Sequence, residues 1–84
     1  MMNNDITVYG TDWCGDTTAT RRHLDSAGVE YNYVNIDEDE TAEKKVIEFN
    51  KGKRRVPLVE ISSERGTRHL SVPSSAELDE ELKV

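Results

Sequence analysis

The chain of 84 residues has one cysteine, two prolines, one tryptophan and one phenylalanine. The lone cysteine, Cys14, excludes an intramolecular disulfide framework and fits a reducing cytoplasm. No stretch approaches the roughly 20 apolar residues of a membrane span. Met1-Met2-Asn3-Asn4-Asp5 carries neither the basic nor the apolar part of a signal peptide. Apolar residues make up only 35% of the chain, so the core must be compact. At this length there is no room for two cores, and a single domain over residues 1–84 is expected. A net charge of −6 argues against a nucleic-acid or membrane-surface partner.

What is present alternates between two periods. Ile6-Thr7-Val8-Tyr9 is β-branched and alternating and stops at Gly10, as a strand does. From Thr17 to Ala27 a helix is expected, with Thr17, Thr20, Leu24 and Ala27 on one face and Gly28 as its stop. Tyr31 to Ile36 reads as a second strand. After the acidic Asp37-Glu38-Asp39-Glu40, a helix over Thr41–Asn50 shares Ala42, Val46 and Phe49 on one face, with Lys51 beyond its end to suit the dipole. Leu58 to Ile61 is a third strand. Ser63-Glu64-Arg65-Gly66-Thr67 is a hairpin-like turn, and Arg68 to Val72 pairs back as a fourth strand. Pro73-Ser74-Ser75 opens a closing helix through about Lys83. The order β-α-β-α-β-β-α implies an α/β fold with a parallel βαβ unit, an antiparallel hairpin and a central mixed four-stranded sheet.

Cys14 falls at the first strand-to-helix junction, within Tyr9-Gly10-Thr11-Asp12-Trp13-Cys14-Gly15-Asp16-Thr17. Open backbone N–H groups and the positive end of a helix dipole favour the thiolate there, so the residue is a candidate nucleophile. The alternative is a half-buried hydrophobe, a common role for free cysteine. Thr17 stands where a second cysteine would complete a Cys-x-x-Cys pair. Its hydroxyl either bonds the ionised sulfur or merely fills the helix face. Asp16 works against the thiolate and repels anionic substrates.

These residues resemble the active-site segment of the glutaredoxins, and the layout is similar to the small mycoredoxin-type and NrdH-type members. Val56-Pro57-Leu58-Val59 matches the family's Thr-Val-Pro segment, Val72-Pro73-Ser74 matches an Asn-Pro-Ser helix start, and the likeness runs from about Ile6 to Leu82. Thr17 departs from the resolving cysteine or serine, Asp16 from a frequent aromatic, and the Gly-Gly pair before the last helix is missing.

The resemblance implies a thioredoxin-like fold and a monothiol thiol–disulfide oxidoreductase. Its substrates would be mixed disulfides between proteins and a low-molecular-weight thiol such as glutathione or mycothiol. Cys14 would attack the mixed disulfide, keep the small thiol and release the protein thiol; a second small thiol would then regenerate it. Pro57 would be trans on base rates; the family match makes it cis, facing Cys14, with Val56 offering backbone groups to the bound thiol.

Lys51-Gly52-Lys53-Arg54-Arg55 is either a solvated loop or an anion subsite for a carboxylate of that thiol, with Arg55 or Lys53 as the contact. Ser74 and Ser75 are expected to cap, with a second role at the thiol's other carboxylate. Trp13 is expected as an apolar wall. His23 and His69 lack ligand partners at metal spacing, and no metal is expected. A cytoplasmic monomer with thiolated protein partners completes the expectation. The alternatives are an iron–sulfur cluster carrier and a redox-silent binding module.

Overall fold

A computed structural model describes residues 5–63 and 66–82. Its elements follow the expected order: β1 (Asp5–Gly10), α1 (Gly15–Ser26), β2 (Asn32–Asn35), α2 (Glu40–Phe49), β3 (Leu58–Ser63), β4 (Gly66–Ser71) and α3 (Ser75–Leu82). The strands lie in the order β2-β1-β3-β4. β1 pairs parallel with β2 and antiparallel with β3, and β3 pairs antiparallel with β4. The hairpin ladder runs out to Ser63 opposite Gly66, which makes β3 and β4 longer at the turn than the alternation alone suggested. The expected turn residues Glu64 and Arg65, the expected helix end at Lys83 and the first four residues lie outside the described residues.

The period-2 pattern of β1 and β3 sorts the core into two faces. Ile6, Val8, Val59 and Ile61 form one cluster with Leu24 of α1 and Leu78 of α3. Tyr9 and Leu58 point the other way and pack with Ile36 and with Ala42 and Val46 of α2. The sheet is therefore a middle layer, with α1 and α3 on one side and α2 on the other. Leu24 is the one large apolar side chain that α1 buries; Thr17 and Thr20 supply the rest of its inner face. Two helix faces are narrower than expected. Ala27 is exposed as the C-cap of α1, and Phe49 is 44% exposed, its ring 4.6 Å from that of His69.

Both α1 and α2 close with the same pair of backbone bonds. Val29 N–H reaches Leu24 C=O and Gly28 N–H reaches Asp25 C=O; Gly52 N–H reaches Ile47 C=O and Lys51 N–H reaches Glu48 C=O. This Schellman arrangement requires a left-handed residue just past the C-cap. Gly28 takes it freely at φ 71, but at α2 the position belongs to Lys51, at φ 57. Lys51 is therefore part of the stop itself, and not only a cation beyond the helix end.

Candidate active site

Cys14 is the N-cap of α1, with extended backbone angles of φ −82 and ψ 122. An N-cap side chain sits beside the open N–H groups of the first helical turn and ordinarily accepts a hydrogen bond from one of them. Here no side chain caps α1. The turn before it is closed by the backbone, since Cys14 N–H donates to the Thr11 carbonyl at 3.3 Å. The Cys14 carbonyl accepts from Thr18 twice, from N–H at 3.1 Å and from the hydroxyl at 3.2 Å. The half-buried sulfur lies 3.9 Å from the Val56 carbonyl oxygen, a long S–H···O contact.

The Val56–Pro57 bond is cis, as the family match implied and against the trans form that base rates favour. Pro57 is fully buried, and its carbonyl accepts from Val72 N–H at 2.8 Å. This bond joins the start of β3 to the residue that leads into α3. Val72 turns the chain there at φ 46, an uncommon conformation for a β-branched residue.

The turn carrying Cys14 is held from the side of β2. Asp12 accepts from the Tyr33 hydroxyl at 2.8 Å and from the Asn35 amide at 3.3 Å. Burial first, and then the bond to Asp12, push the Tyr33 hydroxyl up to about 12. The Arg21 guanidinium covers the same ring at 3.9 Å from its centre. Trp13, expected as an apolar wall of the site, is held in a way the sequence did not signal. Its side chain is 72% exposed, and what fixes it is polar: the indole N–H donates to Asp37 at 2.9 Å. Arg54 bonds the other oxygen of Asp37 and reaches Glu43 of α2 at 2.8 Å. The Trp13 bond, aided by Arg54, holds the Asp37 carboxyl below its ordinary value.

Thr17 is fully buried, and its hydroxyl has no hydrogen-bond partner among the described residues. It does not make the bond to sulfur that its sequence position allowed. Its side chain is instead turned toward β1, where a Cβ added to Gly10 would lie 2.5 Å from its methyl and 2.6 Å from its hydroxyl oxygen. Gly10 thus makes room for Thr17, a pairing seven residues apart that the sequence did not signal. Within the basic stretch, Arg54 is occupied by its two carboxylates, whereas Lys53 and Arg55 are exposed and form no ion pair among the described residues.

Ser74 closes α3: its hydroxyl accepts from Glu77 N–H, and the Glu77 carboxylate accepts from Ser74 N–H, each at 3.2 Å. This reciprocal box satisfies the helix end from within. Beside it runs a groove of about 340 Å³ between α1 and the start of α3, reached by Asp16, Thr20, Val72, Ser74 and Glu77, with no cation on its walls. His23 and His69 make hydrogen-bond contacts, to Asp79 at 2.7 Å and to Glu60 at 3.0 Å. Among the described residues no group of three or more His, Cys, Asp or Glu is arranged to hold a metal ion, and no helix is long and apolar enough to cross a membrane.

Comparison with known proteins identifies the family of a chain with this fold and this cysteine-bearing turn. The glutaredoxin family model matches residues 6–65. The chain belongs to the glutaredoxin family. It is 39% identical over 75 residues to Mycoredoxin 1 of Corynebacterium glutamicum, covering 89% of each chain. It is 31% identical over 62 residues to a Mycobacterium tuberculosis protein named as a glutaredoxin, covering 74% of each. The crystal structure of a glutaredoxin from Archaeoglobus fulgidus superposes with a TM-score of 0.68 at 21% identity, over 95% of this chain and 87% of that one. At that identity the likeness speaks for the fold, which is thioredoxin-like. The same fold recurs in 37% of a maleylacetoacetate isomerase from Anaeromyxobacter dehalogenans, with a TM-score of 0.65. Family membership makes this glutaredoxin one of a group of thiol–disulfide oxidoreductases.

Sequence reasoning missed Asp37, Arg54 as distinct from its neighbours, and Asp12. Asp37 reads as the start of an acidic run before α2, and Arg54 as one of four cations in a loop. Nothing in their spacing says that Trp13 and Arg54 meet on Asp37.

Proposed function

We propose that this glutaredoxin is a single-cysteine thiol–disulfide oxidoreductase that reduces mixed disulfides between proteins and a low-molecular-weight thiol. One observation carries the reading: Cys14 occupies the uncapped start of α1 with its sulfur 3.9 Å from the Val56 carbonyl, beside the cis bond to Pro57. An ionised sulfur at that N-cap faces open N–H donors, which a thiolate can use as an acceptor. The positions support the following roles. Cys14 attacks the small-thiol sulfur of the mixed disulfide, the old S–S bond breaks, and the protein thiolate leaves and takes up a proton. Val56 offers its backbone to the bound thiol, Pro57 fixes that backbone opposite the sulfur, and Trp13 flanks it.

Lys53 and Arg55, which pair with no carboxylate among the described residues, are available to an anionic group of the thiol. Ser74 is assigned mainly to the α3 cap, and Thr17 to packing against Gly10. The second half of the cycle brings a further small thiol, which attacks Cys14–S–S–R and leaves as the symmetric disulfide. Thr17 cannot replace it, having no sulfur. The likeness to a mycoredoxin supports mycothiol as the thiol to try first, with glutathione next. We further propose a single domain acting as a monomer in the reducing cytoplasm, with thiolated proteins as its partners.

Mass spectrometry of the protein after exposure to mycothiol disulfide and to glutathione disulfide tests the reading. A Cys14 adduct that free thiol removes is the expected result. Failure to form an adduct with either would overturn the oxidoreductase reading and leave a binding module of the same fold.

A further inference from the structure

Two segments far apart in sequence meet on one carboxylate. The Asp37 Oδ2 atom accepts the Trp13 indole N–H at 2.9 Å, and Oδ1 accepts from Arg54. Trp13 directly precedes the reactive cysteine; Arg54 lies two residues before Val56, whose carbonyl faces the sulfur. Asp37 is itself steadied, since its N–H donates to Asn35 Oδ1 at 3.0 Å and Asn35 in turn holds Asp12 of the Cys14 turn. Arg54 is steadied from the opposite side by Glu43 of α2 at 2.8 Å. No hydrogen bond joins Asp37 to the sulfur.

From this junction we infer that Asp37 is a positioning residue that fixes the Trp13 ring relative to the 53–56 loop, and thereby sets the grip on the small-thiol half of the mixed disulfide. The inference rests on the proposed oxidoreductase reading for its chemistry, but the clamp is a property of the fold. Trp13 has few packing contacts to hold it, because its ring is largely in solvent; its orientation depends on the one N–H bond. Without the carboxylate, the indole turns freely and Arg54 keeps only Glu43. The walls of the site loosen while Cys14, its helix and the cis-proline stay in place. Docking is then impaired and the intrinsic reactivity of the sulfur is not, a separation that a merely structural role would not produce.

The test compares wild type, Asp37→Ala and Arg54→Gln. Three mixed disulfides of one peptide, with mycothiol, glutathione and 2-mercaptoethanol, are used as substrates, and iodoacetamide alkylation of Cys14 serves as the docking-free control. 2-Mercaptoethanol presents almost nothing for the walls to hold. Wild type is expected to prefer mycothiol or glutathione over 2-mercaptoethanol in kcat/KM. Both variants should shrink that preference by about threefold or more, as expected for removing one member of a contacting network, with alkylation changed less than about twofold. An unchanged preference in either variant, or alkylation falling in step with exchange, overturns the inference. Trp13 is the chain's one tryptophan, so its emission and its quenching by acrylamide read the clamp without any thiol chemistry. Asp37→Ala is expected to shift both, and identical emission and quenching would overturn the clamp. A wild-type protein that exchanges with none of the three substrates overturns the functional reading instead, and the fluorescence alone then decides the clamp.

Discussion

The N-termini of α1 and α3 solve the same problem in opposite ways. Each must deal with the open N–H groups of a first helical turn. At α3, Ser74 and Glu77 close that turn reciprocally, and at α2 Asp39 accepts from Ala42 N–H at 3.0 Å. At α1 the N-cap is Cys14, and no side chain closes the turn. α2 and α3 are capped by side chains, whereas the helix that presents the sulfur is left open. α1 is also lightly anchored, with one large apolar residue and two threonines on its buried face. The difference supports the proposed site: polar capacity is unspent where the cysteine is, and is met by side chains at α2 and α3.

The anchor gives the largest expected effect. Leu24→Ala removes the main apolar hold of α1 and should cost about 2–5 kcal/mol in urea denaturation. A loss under about 1 kcal/mol would mean that the threonine face holds the helix by itself. Next comes the close approach of α1 to β1. Gly10→Ala places a methyl group against Thr17 and should cost about 1–3 kcal/mol, whereas wild-type stability would show that α1 slides easily on the sheet. The contrast between helix ends is sharpened by a pair of variants with opposite signs. Cys14→Ser supplies the missing cap and should stabilise by about 1 kcal/mol, while Ser74→Ala removes an existing one and should destabilise by a similar amount. Equal signs would erase the distinction.

A control away from both helix ends uses Glu60. Burial alone would push its carboxyl up, but bonds from Lys45 at 2.7 Å, from His69 at 3.0 Å and from Tyr9 at 3.2 Å outweigh it and hold it below its usual 4.5. A carboxylate lowered on folding contributes stability above its unfolded value and loses it as pH falls through the folded one. Glu60→Gln should therefore be less stable than wild type at neutral pH, with the gap closing as pH falls below the ordinary carboxylate range and through the lowered folded-state value. A gap independent of pH would show that charge is not what the site uses. The smallest effect is expected at Thr17. Thr17→Val keeps the shape and removes a buried hydroxyl without a partner, so stability should hold within about 0.5 kcal/mol or rise. Exchange activity should persist; its loss would return the hydroxyl to the sulfur.

The fold was legible because its signals are local. Alternation in Ile6–Tyr9, the strand-forming run Leu58–Ile61, the stop at Gly28 and the Ser74 cap each act within a few residues, and each has its counterpart in the structure. The position of Cys14 at a helix start was legible for the same reason. Contacts that bridge distant segments were not. Trp13 looked apolar because the partner of its N–H lies 24 residues away. Gly10 and Thr17 make a steric pair across a strand and a helix, which no local pattern encodes. The cis form of Pro57 came from family likeness and not from the residues themselves, since the local preference is for trans. Arg54 stood undistinguished among four cations until the fold brought two carboxylates to it.

The central claim is that Cys14 exchanges disulfides from an open helix end. Its most direct test is steady-state reduction of a mycothiolated or glutathionylated peptide by wild type and by Cys14→Ser. Denaturation curves alongside establish that the variant is at least as well folded as the parent. Wild type should turn over by alternating half-reactions, with the small-thiol adduct on Cys14 as the intermediate, and Cys14→Ser should be inactive. Turnover retained by Cys14→Ser, or absent from wild type with both thiols, would contradict the account.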